Sequence, residues 1–237
     1  FDEGGLQELA SKFFGTLRNV YNFFVLYGNL DKIDVKKLSV PYEKRSELDR
    51  WILSKYNKLI AEVTEHMDRY DHMKTVRAIT DFVNEDLSNW YIRRARRRFY
   101  TPGMSADKES VFATTFEVLE GVARLIAPIA PFISDEMYSK LTGEETVHIA
   151  YYPKTNAALI DEKVEKRMDI VRSVCNLGRG IREKKGLKVR QPLSEILVDG
   201  KYKDLISDMI PLIMDELNVK QVVFADELGE YMNFELK

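Results

Sequence analysis

The sequence predicts a mainly α-helical protein, with a helical bundle over residues 1–153 and a smaller α+β subdomain over residues 154–237. Three observations carry this prediction. Apolar residues recur at helical spacing through the first part. Breakers rich in proline and glycine separate these stretches. Short β-rich runs occur only near the end of the chain. With 237 residues, 45% of them hydrophobic, the chain is long enough to bury a sizeable core.

Five helices are predicted in the first part. Ser46 and Ser105 are the predicted N-caps of the second and fourth, because their hydroxyls can accept a bond from a first-turn amide. The Thr101-Pro102-Gly103 breaker closes the third helix. Loops are predicted over residues 31–41 and 143–153. The predicted helices run from Leu6 to Tyr27, Leu48 to Tyr70, Met73 to Arg98, Ala106 to Ile126 and Phe132 to Leu141.

The second part changes character. A charged amphipathic helix is predicted from Asp161 to Lys185, with Gly186 as its stop signal. Beyond it the pattern predicts a strand, a helix and two further strands. These elements cover Ser194 to Val198, Tyr202 to Leu217, Lys220 to Ala225 and Glu230 to Leu236.

Several functional classes find no support in the sequence. Cys175 is the only cysteine, which excludes an internal disulfide framework. The three histidines lack a metal-binding spacing, so no metal site is predicted. Phosphate-binding glycine loops and nucleophile motifs are absent, so no catalytic residue is predicted. No apolar run approaches the roughly 20 residues of a membrane span, and the first residues do not resemble a signal peptide. A cytoplasmic protein is expected.

The third predicted helix changes chemistry along one face. Its apolar stripe continues as Arg93, Arg94 and Arg97, while Ile92, Ala95 and Phe99 carry packing to another face. Residues 86–98 hold five arginines against one acid, a pattern that favours phosphate binding. Surface ion pairs are the alternative explanation. The stripe itself is predicted to pack in the core and comprises Val76, Ile79, Phe82, Val83, Leu87 and Trp90.

A second basic cluster follows Cys175. Six cations face the single acid Glu183, although the formal net charge of the chain is only -2. Such segregation would steer a polyanion toward these surfaces. A solvated helix end, where the dipole favours cations, is the alternative. Gly178, Gly180 and Gly186 are expected to let the backbone turn or approach a ligand there. The six cations are Arg179, Arg182, Lys184, Lys185, Lys188 and Arg190.

The segment from Phe82 to Phe99 closely resembles a stretch typical of isoleucyl-tRNA synthetases. Further similar stretches follow the family's order. The Asp49-Arg50-Trp51 and Ala130-Pro131-Phe132 elements also resemble those of valyl and leucyl relatives. The stretches that favour the isoleucyl branch are residues 147–153 and 186–193. The other similar stretches cover residues 13–27, 48–54 and 127–136.

The resemblance implies an anticodon-binding helical bundle that contacts tRNA(Ile). The intact enzyme attaches isoleucine to this tRNA with ATP and Mg²⁺. The family's His-x-Gly-His and Lys-Met-Ser-Lys-Ser signatures do not occur in this sequence, so no cofactor is predicted for this fragment. The expected partners are tRNA(Ile) and the remainder of the synthetase chain, in a monomer. Alternatives are a protein-interaction domain or the same module of a valyl or leucyl enzyme. The tRNA-contact candidates are Asn89, Tyr91, Arg93, Arg94, Arg96, Arg97, Arg98, Arg179, Arg182, Lys184, Lys185, Lys188 and Arg190.

Overall fold

A computed structural model describes residues 10–226 of the protein. Five helices form its first part, which confirms the predicted helical bundle. A π-helical turn, Ala10–Phe14, leads into α1. Short 3-10 turns at Val35–Lys37, Tyr42–Lys44, Val147–Ile149 and Ala157–Leu159 occupy the connections. The helices are α1 (Gly15–Leu30), α2 (Glu47–Asp68), α3 (from His72 to Tyr100), α4 (Ala106–Ile126) and α5 (Pro131–Thr142).

Helix α3 contains a long π-helical segment that the sequence did not predict. It begins as an α-helix, His72–Asp81, continues as a π-helix over Phe82–Ile92 and returns to α-helix over Arg93–Tyr100. The backbone stays in the right-handed helical region at both junctions. Since a π-helix bonds i to i+5, it is wider than an α-helix and shifts the direction in which later side chains point.

Side-chain caps fix where several helices begin. The hydroxyl of Ser46 accepts from the amide of Asp49, and that of Ser105 accepts from the amide of Lys108, which confirms both predicted caps. Asp71 caps α3 through the amide of Lys74. Pro131 stands in the first turn of α5, where its missing N–H leaves no bond unmade.

The core of the first part lies among α2, α3 and α4. Trp51, Tyr91 and Phe112 are fully buried there. Helices α2 and α4 approach closely at Gly121, where an added Cβ would lie 1.6 Å from the hydroxyl oxygen of Tyr56. Tyr56 is itself buried, so its ring has little room to move.

The described residues divide into two compact units, the first ending at Asp161 and the second beginning at Glu162. The sequence placed this boundary between residues 153 and 154. The intervening residues pack on α2: the amide of Asn156 donates to the side chain of Asn57, and the amide of Asp161 donates to Ser54, each at 2.8 Å.

The second unit contains α6 (Glu162–Lys184), β1 (Leu193–Asp199), α7 (Lys203–Ile206), α8 (Ile210–Leu217) and β2 (Val219–Ala225). Turns of 3-10 helix cover Gly200–Tyr202 and Ser207–Met209. The strands pair in parallel, with Leu193 opposite Val219 and Asp199 opposite Ala225. A small α+β subdomain is therefore confirmed. The strand predicted over Glu230 to Leu236 lies outside the described residues.

Two details of this unit differ from the sequence prediction. The single helix predicted from Tyr202 to Leu217 is divided, because Pro211 has no amide hydrogen to continue a preceding helix and instead sits in the first turn of α8. Gly178 lies inside α6 rather than at a turn, and a Cβ there would come within 2.5 Å of the Leu217 side chain. Gly186 has the positive φ, 66°, expected of a residue that ends a helix.

Candidate nucleic-acid interface

Tyr91 and Arg98, two predicted tRNA contacts, point into the protein. The carboxylate of Asp49 is fully buried and accepts from the Tyr91 hydroxyl at 2.8 Å. Arg98 donates to both oxygens of Asp49, at 2.8 and 2.6 Å, and Ser110 donates at 2.8 Å. Arg98 also donates from Nε to Asp107. The network joins α2, α3 and α4, so these two residues hold the bundle together rather than facing a ligand.

The charges in this network stabilise one another. Burial by itself raises the pKa of the Asp49 carboxyl, but the hydrogen bonds and positive charge of Arg98 hold that pKa below its ordinary value. Burial lowers the pKa of Arg98, and Asp49 more than offsets this, so the net shift is upward. Burial, with the Asp49 charge, raises the pKa of Tyr91. The pair is therefore ionised and internal at neutral pH.

The π-helical segment decides which α3 side chains reach solvent. Trp90, Tyr91 and Ile92 are all buried although they are consecutive. Packing then continues through Ala95 and Phe99, both fully buried, which confirms the predicted change of face. The predicted stripe holds except at Val76, which is 37% exposed, so the prediction for that residue is wrong. Arg93, Arg96 and Arg97 are exposed and Arg94 is half-buried.

A groove of about 200 Å³ lies between α1 and α3. Its rim carries Asn89, Arg93 and Arg96 from α3. Arg93 and Arg96 are three residues apart in the α-helical part, which places them on one face. Helix α1 contributes Asn19 and Phe23, four residues apart. The remaining lining residues are Val20, Ser88 and Ile92. The groove thus combines a partly apolar floor with amide and guanidinium groups.

The position of Arg96 is set by an aromatic ring. Its guanidinium carbon lies 5.6 Å from the ring centroid of Phe23, a cation–π distance. The Phe23 ring packs edge-on against Phe99 at 5.0 Å, which anchors it to the core. Asn89 donates to Glu85 at a long 3.4 Å. Within residues 10–226 the side-chain amide of Asn19 has no hydrogen-bond partner.

The second basic cluster also separates into internal and exposed members. Arg182 is 1% exposed, and its guanidinium donates to four backbone carbonyls, those of Lys188, Gln191, Leu217 and Asn218. Burial lowers its pKa. It therefore ties the end of α6 to the loop before β1 and to the end of α8, and is not placed for RNA.

Arg179 has a partly structural role as well. Its Nη1 lies 3.0 Å from a carboxylate oxygen of Glu216, which is 2% exposed. The other four residues of the cluster are exposed to solvent. They are Lys184, Lys185, Lys188 and Arg190.

The anticodon-binding domain of tRNA ligases is the family whose model matches this chain, over residues 49–197. That match covers more than half of the sequence, including α2 from its third residue, all of α3 to α6 and most of β1. The chain belongs to this family.

Relatives of this anticodon-binding domain agree with the match. The chain is 42% identical over 231 residues to an isoleucine–tRNA ligase of Porphyromonas gingivalis, covering 96% of this chain and 20% of the relative. It is 43% identical to an isoleucine–tRNA ligase of Bacteroides fragilis, covering 95% of this chain and 21% of the relative. It is 40% identical to an isoleucine–tRNA ligase of Thermus thermophilus, covering 97% of this chain and 23% of the relative. The chain therefore spans about a fifth of the length of these relatives.

Sequence reasoning missed the α1 half of the groove in this anticodon-binding domain. Asn19 and Phe23 lie in a stretch that resembled the family, but neither was singled out as a contact. Their four-residue spacing is a usable signal only once α1 is known to pack beside the π-helical segment of α3. Among residues 10–226, no helix is long and apolar enough to cross a membrane, and no group of three His, Cys, Asp or Glu side chains is arranged to hold a metal ion.

Proposed function

We propose that this chain is the part of an isoleucine–tRNA ligase that binds the anticodon stem and loop of tRNA(Ile). The groove between α1 and α3 is the observation that carries the proposal, because it places two exposed arginines beside two asparagines on rigid helices. Guanidinium groups suit phosphate oxygens, and amides suit base edges. The family match and the relatives, which are isoleucine–tRNA ligases, support the same function.

Phosphate contacts would supply most of the affinity, with fewer base contacts supplying specificity. The proposed contacts on the bundle are Asn89, Arg93, Arg96 and Arg97, with Arg94 at their edge. Lys184, Lys185, Lys188 and Arg190 would contact phosphates from the second unit, with a smaller share for Arg179. In a chain of net charge -2, these local concentrations of cations would steer the tRNA to them.

The reaction itself is proposed to take place elsewhere in the ligase. Attachment of isoleucine, with ATP and Mg²⁺, is assigned to parts of the enzyme that this fifth of its length does not include. The proposed setting is a monomeric ligase in the cytoplasm. The chain's own contribution is then to hold one end of the tRNA.

A binding titration tests the proposal. The chain would be titrated with tRNA(Ile) and with the same tRNA carrying a swapped anticodon, each at low and high salt. Tighter, salt-sensitive binding of the native tRNA is expected. In Arg93→Ala/Arg96→Ala, the slope of log affinity against log salt should become shallower by about 0.7 for each phosphate that the two arginines neutralise.

Arg77→Ala is the matched control. Arg77 is an exposed arginine on the first segment of α3, outside the groove, and its removal takes one positive charge, half that of the double variant, from the same helix. The control should keep the wild-type slope to within about 0.3, a fraction of one phosphate contact. Failure of the wild-type chain to bind either tRNA at low salt would contradict the proposed function.

A further inference from the structure

The groove between α1 and α3 has two chemically different levels. Arg96 lies over the ring of Phe23, which defines one level. Asn19 and Asn89 also line the groove and precede those two residues on their own helices, by four and seven positions. Their amides define the other level, and Arg93 follows Asn89 by four positions. Asn19 and Phe23 are four residues apart on α1, so the levels are separated by about 6 Å along the helix. Amides both donate and accept hydrogen bonds, whereas guanidinium groups only donate. The two levels therefore suit different parts of one ligand.

We infer that this groove holds a single unpaired nucleotide, with its phosphate on Arg93 and Arg96 and its base edge read by Asn19 and Asn89. The inference rests on the proposed function and assigns one specificity site within it. A base exposed in an RNA loop presents adjacent donors and acceptors, which a pair of amides can match.

The state of the amides supports this assignment. Asn19 lacks a hydrogen-bond partner within the described residues, and the bond from Asn89 to Glu85 is long, at 3.4 Å. Both side chains can therefore turn to a ligand without losing a strong internal bond. Arg96, by contrast, is already positioned by the Phe23 ring at 5.6 Å. Arg96 is therefore held in place before a phosphate binds, while the two amides are left for recognition.

The groove is also too small for a helical stem. Its volume of about 200 Å³ is below the usual range of about 300–1,000 Å³ for sites that enclose a drug-sized ligand. A single base with its phosphate seated on the rim suits that volume better than a longer segment does. Val20 and Ile92 on the floor offer the base an apolar surface.

The double variant Asn19→Ala/Asn89→Ala tests the inference against Arg93→Ala/Arg96→Ala. Alanine favours a helix more than asparagine does, so the variant retains its fold. The asparagine variant should lose the preference for the native anticodon by about tenfold and keep the wild-type salt slope. The arginine variant should bind both tRNAs more weakly and with a shallower slope. Asn22→Ala is the control, because the exposed Asn22 lines a different groove, against α5.

Anticodon stem-loops with one abasic nucleotide at each loop position in turn identify the base. At one position, removal of the base should weaken binding by the wild type about tenfold and leave binding by the asparagine variant unchanged. A wild-type preference that persists in the asparagine variant overturns the inference and leaves the proposed function standing. A wild-type chain that shows no anticodon preference overturns the base-reading site, and one that binds no tRNA overturns both proposals.

Discussion

The Arg98 guanidinium donates to both carboxylate oxygens of the buried Asp49, 49 residues earlier in the chain. Removing the arginine alone would leave a buried carboxylate without its counter-charge, which is strongly destabilising. Arg98→Ala should therefore lower the free energy of unfolding by about 3 kcal/mol. Exposed Arg97→Ala should change it by less than about 1 kcal/mol. Urea denaturation followed by circular dichroism measures both, and equal losses would refute the internal role of Arg98.

The same pair predicts how stability depends on pH. The pKa of Asp49 is lower in the folded protein than its ordinary value, so the unfolded chain binds more protons as the pH falls. The stabilisation is complete above the unfolded pKa of about 3.9 and is lost progressively below it. Urea midpoints from pH 7 to pH 3 should fall more steeply for the wild type than for Asp49→Asn. If the urea midpoints of the wild type and of Asp49→Asn fall equally with pH, Asp49 is not the source of this pH dependence.

Substitution by alanine should have opposite effects on stability at two glycines. At Gly121 the new Cβ would overlap the Tyr56 hydroxyl, so Gly121→Ala should lower the free energy of unfolding by about 2 kcal/mol despite the better helix propensity of alanine. At Gly180, inside α6, an added Cβ would have no atom within 4 Å. Gly180→Ala should therefore raise the free energy of unfolding by up to about 1 kcal/mol. Thermal unfolding distinguishes the two. Adding Tyr56→Phe should recover part of the loss, and a stable Gly121→Ala single variant would count against the close approach.

Arg182 should be a stability residue of the second unit. Arg182→Met removes the donor to four carbonyls while keeping a long side chain, so a loss of about 3 kcal/mol is expected. Amide hydrogen exchange should accelerate in β1 and β2. Lys184→Met, two residues on and exposed, serves as the comparison and should leave exchange in the strands unchanged. Similar exchange in both variants would show that the carbonyl contacts contribute little.

Local signals in the sequence predicted most of the helices. Ser46 and Ser105 mark helix starts because a cap acts within three residues, and Gly186 ends α6 for an equally local reason. The division of the predicted Tyr202 to Leu217 helix was also readable, since Pro211 stood in the sequence. The π-helical segment was not, because its residues are compatible with ordinary helical periodicity and its geometry comes from packing on both sides.

The candidate site was harder to predict because it, too, depends on contacts between distant parts of the chain. Charge and residue type made every arginine of the cluster a candidate, yet Arg98 and Arg182 are occupied by partners 49 and up to 36 residues away. No local pattern reveals such pairings. Asn19 was missed because its importance depends on the helix beside it. A family resemblance identified the right segments, and only the three-dimensional arrangement distinguished their internal residues from their exposed ones.

The π-helical segment of α3 acts as an angular spacer between the core residues before it and the arginines after it. Each residue of a helix rotates the side-chain direction about the helix axis, so the number of residues between Phe82 and Ile92 sets the direction in which the later side chains point. A single-residue deletion in this segment would turn Arg93 and Arg96 away from α1 while leaving every one of their atoms intact. Insertions and deletions here would therefore alter the groove more than many substitutions within it.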